Sequence, residues 1–260
     1  MNDVRLVDVH CHLESELYAG GLDTIIAGAR KVGIARLITS SIVPGEWALS
    51  ESIARRYEEV EFALGIHPWY GREGDEDRID GLFQARERGA VAIGEIGLDK
   101  KTETVPLELQ KRLFGRQIAI ARETGLPVIV HCRGAFDELR VIVKKIGLPA
   151  AGGVIHSFSG SVEIAAELMK FGFSFSFGGA LTYRNSRKKE AVLNAVFPDR
   201  FMLETDSPDI PPVEAKGRPN VPANILYNLK AASEILGVSE EKIAEASTAN
   251  AARTFGLTLD

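Results

Sequence analysis

The chain has 260 residues, 45% hydrophobic and 26% charged, which is typical of a soluble globular protein. Its formal net charge of −5 argues against a protein that coats nucleic acid by bulk attraction, although a local basic patch stays compatible with it. Two cysteines, no secretion signal and no apolar run long enough for a bilayer predict a cytoplasmic protein with buried free thiols and no membrane partner.

Short apolar, β-branched runs alternate with segments of helical periodicity along the whole chain. The strand-like runs are 5–9, 35–40, 61–66, 90–94, 127–130, 153–155, 172–177 and 201–204. The helix-like segments are 22–32, 46–57, 76–88, 107–124, 135–146, 162–170 and 187–195, followed by 222–236 and 240–247. Strands that alternate with helices indicate a parallel sheet.

Eight such units in a chain of this length predict an α/β fold, a (β/α)8 TIM barrel, as a single domain over residues 1–260. An open, doubly wound sheet is the alternative. A glycine-rich phosphate loop after the first strand would favour that alternative, and none is present. The last helix, with "TANAARTFGL", is expected to pack across the bottom or the flank of the barrel.

Reactive side chains follow the strand-like runs. In chain order they are His10 and His12 after the first run, then His67, Glu95, His131, His156 and finally Asp206 after the eighth. All five histidines of the protein are in this set. Because the carboxyl ends of barrel strands converge on one mouth, where active sites are built, we expect these side chains to meet.

The spacing of the first two histidines indicates a metal site. Residues at i and i+2 of a strand face the same way, and paired imidazoles suit a borderline divalent cation such as zinc. Asp8 lies two residues before His10, so its side chain should face the same way. We expect it one layer deeper in the barrel, where it would orient an imidazole ring. A lone strand-end histidine is more often a hydrogen-bonded core residue, but a rim of histidines and carboxylates is costly to desolvate without a cation. His67, which precedes a proline, is expected to contact substrate rather than metal.

Seven motifs in this order resemble those of the TatD-type metal-dependent deoxyribonucleases, over nearly the whole chain. They are "DVHCHLE", "GIHPW", "AIGEIGLD", "PVIVHCR", "HSFSGS", "LETDSP" and "NAARTFGL". The resemblance implies two divalent ions per chain: one held by His10, His12 and Asp206, the other by His131 and His156, with Glu95 bridging them. The metal stays open among zinc, magnesium, manganese, nickel and cobalt.

The resemblance also implies hydrolysis of DNA phosphodiester bonds by a two-metal-activated water. Glu95 and Asp206 would be the catalytic residues, and Asp206 could accept the proton of the water or be a ligand alone. The substrate would be DNA, including single-stranded DNA. Endonuclease and exonuclease action stay open, and a monomer is the default expectation.

Further candidates for substrate binding lie in the loops. Arg133 could meet a phosphate bidentately, and Ser159 offers a hydroxyl. Arg184 lies beside Tyr183 in "TYRNSRKKE", a pattern that fits a single-strand groove or simply a charged helix start. The segment "RPNV" at 218–221 lacks the acidic residue of the related "R-N-E-P" stretch in TatD-like proteins, which leaves substrate preference open.

Two other functions compete. The first is hydrolysis of an amide or ester, including aminoacyl-tRNA esters, on an amidohydrolase-type barrel. Such enzymes often bridge their metals with a carbamylated lysine, so Glu95 favours the phosphodiester reaction. The second is a metal-stabilised binding protein without turnover. Structural metal sites are usually closed and rich in cysteine, which disfavours this hypothesis.

Overall fold

A computed structural model describes residues 5–183 and 187–259 of the chain. Eight parallel strands form one sheet in sequential order, which confirms the predicted TIM barrel. The strands are β1 (Leu6–Cys11), β2 (Ile34–Ser40), β3 (Val60–Leu64), β4 (Ala92–Asp99), β5 (Val128–Arg133), β6 (Gly153–Ile155), β7 (Phe173–Phe177) and β8 (Phe201–Leu203). Cys11 and Cys132 are buried free thiols, as expected.

The barrel closes just beyond the end of β8. The Asp206 N–H donates to the His10 carbonyl (2.9 Å), and the His12 N–H donates to the Ser207 carbonyl (2.7 Å). These two hydrogen bonds tie the last strand segment to the first. They therefore fix Asp206 beside His10 and His12, although about three quarters of the chain lies between them.

Helices cover the outside of the sheet. They are α1 (Leu22–Lys31), α2 (Trp47–Arg56), α3 (Asp75–Ile79), α4 (Ala85–Arg88), α5 (Leu107–Thr124), α6 (Phe136–Ile146), α7 (Val162–Met169), α8 (Arg187–Val196), α9 (Ile225–Leu236) and α10 (Glu240–Phe255). The single helix predicted over 76–88 is instead α3, a 3₁₀ turn and α4. The turn contains Gly81, a weak helix former that packs closely against the indole of Trp47.

The last helix seals the bottom of the barrel and runs to Phe255, beyond its predicted end. Thr248 Oγ1 donates to the Arg5 carbonyl (2.8 Å), and Asn250 Nδ2 donates to the Phe201 carbonyl (2.8 Å), so α10 lies at the amino ends of β1 and β8. Phe255 joins a buried cluster that fills the barrel interior, with Val7, Val9, Ile38, Ala63, Ala92, Ile129, Val154, Met202 and Ala251.

Two strands carry an extra residue near the mouth. In β1, Asp8 pairs with Leu37 and Cys11 pairs with Thr39, so three steps on β1 oppose two on β2. The same offset occurs in β4 between Ile93 and Ile96. Such bulges bend a strand and re-aim its side chains. They lie where His10 and Glu95 turn inward, so the bulges help to build the site.

Glycine makes the second offset possible. A Cβ at Gly97 would lie 1.9 Å from the His131 carbonyl oxygen, and one at Gly94 would lie 2.6 Å from the Ile129 Cβ. Only residues without a side chain let β4 approach β5 this closely. The close approach brings Glu95 and His131 together.

Candidate metal centre

Four donor residues form a first group at the mouth, and they lie in β1 and just after it, in β4, and after β8. The Glu95 Oε2 atom lies 3.4 Å from His10 Nε2 and 3.5 Å from His12 Nε2. The Asp206 Oδ1 atom lies 3.4 and 3.5 Å from the same two nitrogens. Four ligands about 2.1 Å from one tetrahedral cation are separated by about 3.4 Å. The first donor group (His10, His12, Asp206 and Glu95 Oε2) therefore has the dimensions of a cation site.

The other oxygen of Glu95 lies in a second group of nitrogens. Its Oε1 atom lies 2.8 Å from His156 Nε2, 3.3 Å from His131 Nδ1 and 3.2 Å from His67 Nε2. His131 Nδ1 and His156 Nε2 are themselves 3.2 Å apart. The second donor group (His131, His156 and Glu95 Oε1) thus has His67 beside it, a histidine that sequence reasoning assigned to substrate.

Some of the donor atoms face a shared point without a hydrogen-bond partner from the residues that the structure describes. Glu95 is only 2% exposed, and among the described residues its Oε1 atom and the His10 Nε2 atom make no hydrogen bond. Buried polar atoms without partners cost free energy, and a divalent cation would satisfy several of them at once. The residues present therefore fit a metal, and the mixture of imidazole and carboxylate suits zinc, manganese, nickel or cobalt.

Hydrogen bonds on the far side of two rings set which nitrogen faces the mouth. His12 Nδ1 lies 2.8 Å from the Ser40 carbonyl, which leaves Nε2 for the first donor group. His131 Nε2 lies 3.0 Å from Asp99 Oδ2, which leaves Nδ1 for the second. Carboxylates and carbonyls commonly orient ligating histidines in this way. Sequence reasoning missed Asp99, although it ends the quoted motif "AIGEIGLD".

The expected role of Asp8 is wrong. Its carboxylate accepts hydrogen bonds from the Thr205 N–H (2.9 Å), the Thr205 hydroxyl (2.5 Å) and the His10 N–H (3.3 Å). The bulge in β1 breaks the simple alternation, so Asp8 does not share the facing of His10 and His12. It braces the segment before Asp206 instead of orienting a ring.

Glu204 is a second buried carboxyl group that sequence reasoning missed, although it lies in "LETDSP". Its Oε1 atom accepts from the Ser157 N–H (2.7 Å), and the Ser176 hydroxyl donates to Oε2. Burial raises the pKa of Glu204 to about 8. A neutral Glu204 costs less to bury, and it holds the loop that follows His156.

The carboxylates at the centre are held ionised by their neighbours. Burial alone would raise the pKa of Glu95, but His67, His156 and His10 outweigh it and hold that pKa well below its usual value. Burial lowers the pKa of His156 to about 4. For His131, Asp99 and Glu95 outweigh burial and raise the pKa to about 9. The centre therefore mixes neutral and protonated imidazoles, and a cation would have to displace protons from the latter.

The donor groups open into a cleft of about 880 Å³. Arg133 and Ser159 are exposed and line this cleft, where sequence reasoning expected them. Arg184 lies outside the described residues. Four acidic side chains also line the cleft: Glu14, Glu16, Glu46 and Asp209. The rim thus carries both signs of charge.

The segment that departs from the related family pattern braces the mouth from below. Asn220 is buried, and its Nδ2 atom donates to the carbonyls of Thr205 (2.8 Å) and Asp209 (3.0 Å). The Asn220 N–H donates to the Pro208 carbonyl (2.9 Å). The asparagine therefore fixes the loop that carries Asp206, without an acidic neighbour.

Comparisons with known proteins agree with this geometry. The family described as "TatD related DNase" matches residues 7–256. The uncharacterized metal-dependent hydrolase YabD of Bacillus subtilis is 34% identical, covering 96% of this chain and 98% of its own. The putative deoxyribonuclease tatdn3 of Danio rerio is 30% identical, covering 96% of each. The crystal structure of YjjV, a TatD homolog of Escherichia coli, superposes with a TM-score of 0.91 at 28% identity, covering 98% of this chain and 100% of its own. In the described part of the chain, no helix has the length and apolar character to cross a membrane.

Proposed function

This chain belongs to the TatD-related DNase family and is a metal-dependent hydrolase; from that premise we propose that it is a deoxyribonuclease that hydrolyses phosphodiester bonds of DNA. One observation carries the proposal: Glu95 divides its two carboxylate oxygens between the first and second donor groups. Such a carboxylate suits a bridge between two cations. The first donor group would hold one cation and the second donor group the other.

Divalent cations in these positions would neutralise charge on a phosphodiester and lower the pKa of a water molecule toward neutrality. The protein's own groups do the rest. The pKa of Asp206 is lowered, because His10 and His12 outweigh its burial, so the carboxylate is ionised, as a metal ligand or an acceptor of the water's proton has to be. Arg133 is exposed at the rim and could donate two parallel hydrogen bonds to a phosphate.

We also propose that His67 supports the second donor group by facing Glu95 Oε1 with its Nε2 atom, rather than contacting substrate. Its Nε2 atom lies 3.2 Å from Glu95 Oε1, as close as the Nδ1 atom of His131 at 3.3 Å, and the residue is only 4% exposed. Burial lowers its pKa, so the ring is neutral, and because its Nδ1 atom accepts from the Trp69 N–H, its one proton lies on Nε2, toward Glu95. A contact with substrate would require an exposed edge, which so buried a ring offers poorly.

The test uses end-labelled single- and double-stranded DNA with protein loaded separately with zinc, manganese, nickel, cobalt and magnesium. Cleavage by the wild type, and its loss in Glu95→Gln, is the expected result. The variant keeps the shape of the side chain and removes the bridging charge. Failure of the wild type to cleave either DNA with every metal would overturn the proposal.

A second candidate is hydrolysis of an ester or amide in a less charged substrate. The acidic side chains on the rim favour it, because Glu14, Glu16, Glu46 and Asp209 would repel a long polyanion. The same protein preparations should therefore be assayed against uncharged esters and amides, including aminoacyl esters. Turnover of those substrates with no cleavage of DNA would select this candidate.

Metal content tests the division of the ligands. His131→Ala and His12→Ala each remove one nitrogen, from the second and the first donor group respectively. Elemental analysis should find close to two ions per chain in the wild type and about one in each variant. Two ions retained in both variants would contradict the assignment of these ligands.

A further inference from the structure

Trp69 is an exposed aromatic residue at the edge of the metal cleft. It is 39% exposed, whereas Trp47, the other tryptophan of the chain, is 7% exposed. Trp69 follows His67 and Pro68 in "GIHPW" and lines the same cleft as both donor groups. None of the chemistry proposed above uses it.

Trp69 is held in place through both its indole ring and its backbone. Its Nε1 atom donates to Asp99 Oδ2 (2.7 Å), its backbone N–H donates to His67 Nδ1 (3.2 Å), and its carbonyl accepts from the Thr104 hydroxyl (3.3 Å). The ring meets His67 edge to face at 5.0 Å between centroids. A ring held in this way loses little conformational freedom when a ligand packs on it.

We propose that Trp69 is a stacking site for a nucleobase of the strand whose phosphate reaches the donor groups. The inference deepens the proposed function and rests on it. The Trp69 ring centroid lies 5.8 Å from that of His131, so a base on the indole belongs to a nucleotide next to the second donor group. Arg133 lines the same cleft and supplies the positive charge that a neighbouring phosphate requires.

The chemistry of the ligand follows from the face that Trp69 presents. Every nucleobase has a π-face, so stacking on an indole binds bases with little sequence preference. Bases inside a duplex are already stacked on their neighbours, so this site selects unpaired nucleotides. The acidic residues on the rim of the cleft add to that selection. They repel additional phosphates, whereas the apolar face of Trp69 still attracts an unpaired base.

One oxygen atom joins the stacking site to the metal centre. Asp99 Oδ2 accepts from Trp69 Nε1 and lies 3.0 Å from His131 Nε2. The base-stacking ring and a donor of the second group are therefore held in a fixed relation by the same carboxylate. A base stacked on Trp69 would therefore lie at a fixed position relative to the metal centre.

The experiment pairs a change in the enzyme with a change in the substrate. Wild type, Trp69→Phe and Trp69→Ala, each loaded with metal, are assayed on a single-stranded oligonucleotide and on its copy with an abasic nucleotide at the cleaved position. For the wild type, loss of the base should lower kcat/KM by roughly tenfold, within the range for stacking of one base. Trp69→Ala should cleave both substrates equally, and Trp69→Phe should keep most of the difference.

The phenylalanine variant separates stacking from the hydrogen bond to Asp99, because it keeps a ring and lacks the N–H donor. Equal losses of base discrimination in both variants would overturn the stacking site and leave Trp69 as a support for Asp99. Discrimination unchanged in Trp69→Ala would overturn the inference entirely, while cleavage by the wild type would still uphold the proposed function.

Fluorescence decides the matter even if no DNA is cleaved. Binding of the intact oligonucleotide should quench the tryptophan emission of the wild type in a saturable manner. The abasic copy should quench it less, and Trp69→Phe, in which only the buried Trp47 emits, should show little change. Equal quenching in the wild type and Trp69→Phe, or none in either, would reject a base on Trp69.

Discussion

The two ends of the barrel are built from the same eight strands and are chemically opposite. At the bottom, apolar side chains from seven strands pack with Ala251 and Phe255 of α10. At the mouth, the strands end in imidazoles and carboxylates, some of whose buried polar atoms have no partner within residues 5–183 and 187–259. Burial stabilises the fold at the bottom, whereas burial at the mouth is unfavourable until a ligand is bound. Stability and chemistry are thus separated along the barrel axis.

The largest expected effect comes from breaking the bridge at the mouth. Glu95→Gln should lower turnover by roughly a thousandfold, because a lost cation removes several kcal/mol of transition-state stabilisation. In the presence of a chelator its urea unfolding midpoint should fall modestly while the protein stays folded, since the neighbouring histidines stabilise the ionised carboxylate in the cation-free fold. A variant that loses activity only because it unfolds would refute the separation of the two ends.

The opposite result, lower stability with unchanged turnover, is expected from a variant at the bottom of the barrel. Phe255→Ala should destabilise the protein by about 3–5 kcal/mol, the usual cost of truncating a buried aromatic ring, while the folded enzyme keeps its kcat. Urea unfolding and steady-state assays on the same sample measure the two quantities. Val141→Ala, at a site 68% exposed, is the control and should change the free energy of unfolding very little.

A smaller effect is expected from the support of the second donor group. Asp99→Asn leaves the side-chain shape intact but weakens the partner of His131 Nε2, so metal affinity or activity should fall by about 10- to 100-fold. Metal titration by calorimetry and assays at saturating metal would distinguish the two losses. Asp137→Asn, on the exposed side of α6, is the matched control. Wild-type affinity and rate in Asp99→Asn would show that the carboxylate orients nothing.

Lowering the pH should weaken metal affinity gradually. In the cation-free protein, Asp99 and Glu95 outweigh burial and raise the pKa of His131 to about 9, so below that pH a proton occupies the ring and competes with the cation. Apparent affinity should therefore rise with pH between 6 and 9, by up to about tenfold per unit for each proton displaced. Titrations at several pH values in two buffers of different ionisation enthalpy would count those protons. Affinity that is flat over this range would contradict the competition.

Much of the candidate site could be predicted because it follows strand ends. The run "VIVHCR" is apolar until its histidine, and parallel strands of a barrel end at one mouth. His131 and Asp206 were therefore expected at the mouth, and both line the cleft there. By contrast, His67 was assigned to substrate from the sequence, since nothing in "GIHPW" states how deep its ring lies.

The residues that sequence reasoning missed act through contacts distant in the chain. Asp99 meets His131 across paired strands, and Glu204 meets the loop after His156. Both are ordinary strand-end carboxylates when read locally. Only the signal of their motifs, "AIGEIGLD" and "LETDSP", could have drawn attention to them.

The sequence by itself determined the alternation of strands and helices, hence the barrel, and it determined which side chains reach the mouth, because periodicity and strand ends are local properties. Only the tertiary structure decided how those side chains are aimed. The bulges in β1 and β4 are offsets against a neighbouring strand, and they break the alternation from which Asp8 was misassigned. The division of Glu95 between two donor groups likewise depends on strands that pair across the sheet, so no single stretch of the chain contains that information.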